Sequence, residues 1–189
     1  QPPAGPVRDT NPAISPDGKW VVFTRAPLAG SGRDARLWIA PLQPEAVAVP
    51  LTSAPGVETD PAWTRDGAAV VFASTGSAAQ FDLYEVPVAG GTASGPPRQL
   101  TASPGHEVTP TVASDGTVIY ATIEVGSGGA VASHLEARAP GGAIARLTDG
   151  PLDAAPALSP DGQTIAFARL VKHGLLSDAD LFVMPRAGG

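Results

Sequence analysis

The chain alternates apolar and polar positions in short runs, and one such pattern returns four times along its length. The copies are NPAISPDGKWVVF at 11–23, DPAWTRDGAAVVF at 60–72, TPTVASDGTVIYA at 109–121 and APALSPDGQTIAF at 155–167. Each has an apolar run, an Asp-Gly pair and a second apolar run. This arrangement predicts a β-hairpin, because glycine tolerates positive φ and aspartate accepts a backbone hydrogen bond two residues on.

The Asp-Gly pairs set the length of the repeat. They are Asp17-Gly18, Asp66-Gly67, Asp115-Gly116 and Asp161-Gly162, so successive pairs are 49, 49 and 46 residues apart. No segment keeps helical periodicity, which indicates an all-β chain. Four short antiparallel strands per repeat of this length are typical of a β-propeller blade. We therefore predict a β-propeller with blades near 9–52, 53–101, 102–148 and 149–189, preceded by a Pro-rich arm at 1–8.

Three other positions recur in step with the hairpins. Leucine opens the predicted third strand at Leu37, Leu83, Leu135 and Leu181. A Leu-Thr pair ends the fourth strand at 51–52, 100–101 and 147–148. An acid precedes the inner-strand proline by three residues at Asp9, Glu58, Glu107 and Asp153.

Two interpretations of these acids are open. They could accept backbone N–H bonds and so fix the blades, or they could meet at one channel mouth and bind a cation or a basic peptide group. We favour the first for most of the four, and expect Glu107, which follows His106, to face a partner.

The fourth repeat offers only three strands before residue 189. We expect a piece of a larger ring, in which the unpaired edge invites strand addition or self-association. A closed ring of four blades is the alternative.

The recurring segments also resemble a known family. Their pattern consists of acid-x-x-Pro-x-x-Ser-Pro-Asp-Gly, an apolar strand ending in Phe, Asp-Leu-aromatic, Gly-Gly and Leu-Thr. This pattern resembles the WD40-like (PD40) repeat of TolB-type β-propellers. Repeats one and four match best, whereas Arg65 replaces proline in repeat two and Ala113 replaces serine in repeat three. The resemblance implies a bacterial protein that binds other proteins in the periplasm or outside the cell. The repeat is also similar to the propeller of prolyl-oligopeptidase-type (S9-type) hydrolases.

Composition narrows the function further. The net charge of −6 argues against a nucleic-acid partner, which requires a basic surface. No apolar run reaches the roughly 18 residues of a membrane span. The chain has no cysteine, and it carries no nucleophile elbow, zinc-protease, phosphate-loop or dinucleotide motif. We therefore expect no cofactor, no metal and no catalytic residue.

The longer loops are the best candidates for recognition. Tight turns dominate one face of the predicted propeller, while the second-to-third loops and the links between blades lie on the other. Binding residues concentrate on such loops. The candidates there, besides the four acids, are Arg33, Asp34, Arg36, His106, His134, Lys172 and His173. The alternative is that these are only solvated loop residues.

The sequence thus predicts a non-catalytic scaffold, periplasmic or extracellular, that binds a protein or peptide. The alternative is the propeller part of an S9-type hydrolase, which would cover a catalytic domain that this chain does not contain.

Overall fold

The computed structural model describes residues 5–29, 34–173 and 176–188, with side chains except at 172–173 and 176–177. Within these ranges every regular element is a β-strand, and the strands form four antiparallel sheets arranged as the blades of a propeller. The predicted all-β propeller fold is therefore confirmed. No helix in the described part of the chain has the length and apolarity needed to cross a membrane.

Each blade begins with its innermost strand. The first blade contains β1 (Val7–Ile14), β2 (Trp20–Pro27), β3 (Arg36–Pro41) and β4 (Val49–Pro50). The second contains β5 (Glu58–Trp63), β6 (Ala69–Ser74), β7 (Asp82–Ala89), β8 (Thr92–Ala93) and β9 (Arg98–Gln99). The third contains β10 (His106–Val112), β11 (Val118–Val125), β12 (Val131–Arg138) and β13 (Ile144–Arg146). The fourth contains β14 (Asp153–Leu158), β15 (Thr164–His173) and β16 (Leu176–Pro185).

The Asp-Gly pairs form the turns between the first and second strands. Gly18, Gly67, Gly116 and Gly162 have φ between 69° and 82°. The preceding aspartate accepts the N–H of the residue two positions on, as in Asp17 with Lys19 at 3.1 Å. A serine or threonine hydroxyl also donates to this aspartate in the first, second and fourth turns.

Apolar side chains fill the junctions between blades. The first junction packs Val22, Leu37, Ile39 and Leu51 against Trp63, Val70, Phe72, Val86 and Val88. The second packs Val71, Ala73 and Leu83 against Val112, Val118 and Tyr120. The third packs Ile119, Ala121 and Leu135 against Ile165, Phe167 and Met184. Both faces of a central blade are therefore buried, which explains its nearly continuous apolar strands.

The last blade differs from the others in two respects. Its sheet has three strands in the described part of the chain. Leu37, Leu83 and Leu135 are fully buried, whereas the corresponding Leu181 is 78% exposed and Val183 is 69% exposed. These two side chains point away from the third blade, and no described residue packs over them. The sequence repeat alone gives all four leucines the same environment, so the difference arises from tertiary position.

The Asp-Gly turns can be tested at Gly162, which has φ of +69° and where an added Cβ would meet nothing closer than 4.0 Å. Gly162→Val should therefore lower the free energy of unfolding through backbone strain alone, by about 1 kcal/mol or more. Gly141→Val is the matched control, since Gly141 has no positive φ and nothing within 4 Å. Equal urea midpoints for the two variants would contradict the turn geometry.

Candidate functional site: the channel mouth and the acids beside it

Four β-bulges surround the axis on the side of the longer loops. In each innermost strand the pairing register shifts across an Xaa-Pro pair. The Xaa residues are Asn11, Asp60, Thr109 and Ala155, and all four have φ of 51° or 52°. A left-handed conformation is unfavourable for a residue with a side chain, above all for a β-branched one such as threonine. With the prolines that follow, they line a shallow cavity of about 250 Å³, which we call the channel mouth.

Of the described residues that line the channel mouth, Asp60 alone has an ionisable side chain. Its Oδ1 accepts hydrogen bonds from Asn11 Nδ2 and from Thr59 Oγ1, the latter at 3.2 Å. Its Oδ2 accepts the Thr109 N–H at 3.3 Å. One carboxylate thus connects the first three blades at the axis. These contacts were not predicted from the sequence. The amide of Asn11 and the acid of Asp60, each directly before a proline, were the available signal.

The glutamates at the predicted acidic positions lie between blades. Glu58 is fully buried, and its Oε2 accepts the Leu37 N–H at 3.1 Å and the Thr52 hydroxyl. Glu107 is also fully buried and accepts the Ser103 hydroxyl. Burial raises the pKa of Glu58, and burial together with the charges of Asp82 and Glu136 raises the pKa of Glu107.

The aspartates at these positions form ion pairs. Asp153 is fully buried and accepts two hydrogen bonds from Arg169, at 2.6 and 2.8 Å. Burial alone would raise the pKa of Asp153, but Arg169 and the Thr148 hydroxyl hold it below its ordinary value. Asp9 makes the same two bonds with Arg25, both at 2.7 Å, on an exposed surface.

The four acids therefore do not converge on the axis. Three of them are fully buried, and the channel mouth is lined by other residues. Among the described residues, no group of three or more acids, histidines or cysteines could hold a metal ion. The shared channel mouth expected for these acids under the second interpretation is thus corrected. Glu58 is held by Leu37 and Thr52 of the preceding blade, whereas Asp9 and Asp153 are held by arginines of their own blades.

The loop candidates are placed as follows. Arg36 donates to the carbonyls of Ala35 and Gly56, and half-buried His106 accepts the Phe81 N–H through Nδ1 at 3.2 Å. His134 is not a solvated loop residue, because it lies within β12, 3% exposed, with Nε2 3.1 Å from Glu136. Arg33 and the side chains of Lys172 and His173 lie outside the described residues.

The aspartates of the Asp-Gly turns lie on the face opposite the channel mouth, where hydrogen bonds fix their side chains. Hydrogen bonds from side-chain hydroxyls and backbone N–H groups lower the pKa of Asp17, Asp66 and Asp161. Asp115 instead pairs with Arg186, which lowers its pKa to about 2. Arg65, which replaces the proline of the repeat, donates from Nη2 to the Pro160 carbonyl at 2.6 Å, and so connects the second blade to the fourth.

Comparison with known proteins gives one family and many structural relatives. The family model described as PD40, TolB beta propeller domain, matches residues 4–177. TolB from Acinetobacter baumannii is 23% identical with a TM-score of 0.70, over 94% of this chain and 41% of that one. Hydrazine synthase from Kuenenia stuttgartiensis is 16% identical with a TM-score of 0.73, over 94% of this chain and 31% of that one.

A puromycin-hydrolyzing peptidase from Mycobacterium tuberculosis is 15% identical with a TM-score of 0.69, over 97% of this chain and 28% of that one. The chain thus spans less than half the length of each of these three relatives. At these identities the likeness is one of fold. Among curated proteins, no significant match to the chain is found.

The raised pKa values of Glu58 and Glu107 predict a specific pH dependence. A carboxyl whose pKa is raised by folding stabilises the protein below its ordinary value of 4.5, and this contribution is lost as the pH rises through the raised value. The stability of Glu58→Gln/Glu107→Gln relative to the parent should therefore increase from pH 4 to pH 7. Denaturant unfolding at several pH values measures this, with Glu124→Gln as an exposed control. If the stability of the parent and both variants changed with pH in the same way, folding would not raise the pKa of Glu58 and Glu107.

The two aspartate–arginine pairs form a matched test of burial. Asp153→Asn leaves Arg169 without its buried partner, and should cost about 3 kcal/mol of unfolding free energy. Asp9→Asn breaks a pair of the same geometry on the surface, and should cost at most about 1 kcal/mol. Equal losses in urea unfolding would show that burial adds nothing to the contribution of the Asp153–Arg169 pair.

Proposed function

The chain belongs to the family of TolB β-propeller domains, and we propose that it is a non-catalytic scaffold that binds an extended segment of another protein at the channel mouth. The observation that carries this proposal is the set of four left-handed residues around one cavity. Each costs of order 1–3 kcal/mol, and such strain is concentrated at ligand-binding and active sites. None of the four is glycine, so the strain is not relieved by residue choice.

The chemistry of the channel mouth suits a peptide donor. Pro12, Pro61, Pro110 and Pro156 supply apolar rings and no N–H group, while Asp60 supplies carboxylate oxygens. A partner segment with an amide or cationic donor can bind Asp60 while its apolar atoms pack on the prolines. Asn11 and Thr109 hold the carboxylate in place before binding, which reduces the entropy lost on association.

The proposal of a non-catalytic role rests on the residues of the channel mouth. Its side chains are asparagine, aspartate, threonine, alanine and proline, a set without the histidine-activated nucleophile of hydrolases. The periplasmic or extracellular location is proposed from the resemblance to TolB-type repeats. The candidates Arg36 and His106 border the same loop face and are proposed as secondary contacts. Glu107 was expected to face a partner, but it is fully buried and is not proposed as a contact.

The alternative is a propeller that covers a hydrolase domain. It is supported by similarity in fold to the puromycin-hydrolyzing peptidase, of which the chain covers 28%. A G-x-S-x-G segment in the same reading frame would favour this alternative.

The proposed site can be tested with a peptide selected from a random displayed library against the immobilised chain. Ala155→Arg places a long cation in the channel mouth, and should weaken peptide binding at least about tenfold by steric and charge conflict. Gln163→Arg adds the same charge to the same blade on the opposite face, and should leave the affinity within about twofold. Fluorescence anisotropy measures both affinities. Equal affinities for the two variants would contradict binding at the channel mouth.

A further inference from the structure

A separate cavity of about 390 Å³ lies between the first and second blades, on the face with the tight turns. Its walls are formed by Trp20, Trp63 and Pro16. Its polar rim is formed by Asp17, Arg65 and Asp66. We call it the indole pocket. Its volume falls within the range of about 300–1,000 Å³ that is usual for small-ligand sites.

The repeat shows that the indole pocket is a local specialisation. The corresponding walls at the second junction are Ala69 and Val112, and at the third they are Val118 and Leu158. Two tryptophans therefore meet at the first junction alone. Gly91 makes room for one of them, since a Cβ at this position would lie 2.1 Å from the Trp20 ring.

The Trp63 wall offers π surface rather than a hydrogen-bond donor. Trp63 is 8% exposed, and its Nε1 already donates to the Ala13 carbonyl at 3.1 Å. The polar groups of the pocket are therefore those of its charged rim. Aromatic walls beside carboxylates are the usual surroundings of a bound cation, and tryptophan is the strongest aromatic partner for one.

The rim has an excess of negative charge. Hydrogen bonds lower the pKa of Asp17 and Asp66, so both are ionised at neutral pH. Asp17 has a partner in Lys19 at 3.3 Å on a well-exposed surface, a pair of little strength. Asp66 forms no ion pair with any described residue. The Arg65 guanidinium donates instead to the carbonyl of Pro160 in the fourth blade.

From this juxtaposition we propose that the indole pocket binds an arginine side chain of a peptide partner. A planar guanidinium can stack on an indole ring and present its fork of donors to one carboxylate, which a lysine ammonium cannot do. Asp66 is the acceptor, and Trp20 is the stacking wall. This site lies on the opposite face from the channel mouth and does not rest on the function proposed for it.

The proposal is tested with N-acetyl-arginine amide as the probe. Of the three indole N–H signals, those of Trp20 and Trp63 should shift saturably in ¹H–¹⁵N spectra, while that of Trp38 serves as an internal reference. N-acetyl-tryptophan amide, N-acetyl-glutamate amide and methyl glucoside test aromatic, anionic and sugar ligands. A saturable shift with one of these at equal or lower concentration would overturn the proposal, as would no shift with arginine.

Three variants locate the charge. Asp66→Asn keeps the oxygen that accepts the turn bonds, and should weaken arginine binding at least about fivefold through loss of charge. Arg65→Pro restores the residue of repeats one and four, and should strengthen binding by removing a like charge. Asp115→Asn changes the equivalent turn of the third blade and should have no effect. Unchanged affinity for Asp66→Asn, or an equal loss for Asp115→Asn, would overturn the proposal.

Discussion

The structure depends on a hydrogen-bonded node that recurs at the first two junctions between blades. At the first, the N–H of Glu58 donates to the Ala35 carbonyl, while the Glu58 carboxyl accepts the N–H of Leu37. At the second, Glu107 donates to the Phe81 carbonyl, and the Leu83 N–H is accepted by Thr101. These polar groups are buried, so each would cost free energy without its partner. The node therefore fixes the start of each inner strand against the third strand of the preceding blade.

The candidate site follows from the same constraint. Two residues after Glu58 and Glu107 the chain enters the left-handed bulge, at Asp60 and Thr109. With the acid held between blades, the bulge turns the following proline to line the axis. Strain at the channel mouth can persist because the node and the blade pairing fix both ends of the bulge. Burial of acids and exposure of bulges are thus two consequences of one strand geometry.

The period of the repeat was sufficient to predict the all-β propeller, the hairpin turns and the acidic positions, because Asp-Gly and apolar alternation act locally. The sequence could not show that Glu58 faces Leu37, since that contact depends on how two blades pack. The left-handed residues were missed because Thr109 and Ala155 carry no local preference for positive φ. Arg65 was visible as a departure from Ser-Pro-Asp-Gly, but its contact with Pro160 spans the axis. His134 was predicted at the start of a strand on the loop face, whereas β12 begins three residues earlier and His134 is buried within it.

Native-state hydrogen exchange at the node amides tests this account most directly. If the nodes hold the blades together, the amides of Leu37, Glu58 and Glu107 exchange only on global unfolding, with the same free energy as buried Val70 within its blade. These amides donate across the junctions to the Glu58 carboxyl and to the carbonyls of Ala35 and Phe81. Exchange of these three amides at the rate of exposed turn amides, while Val70 remains protected, would contradict the account.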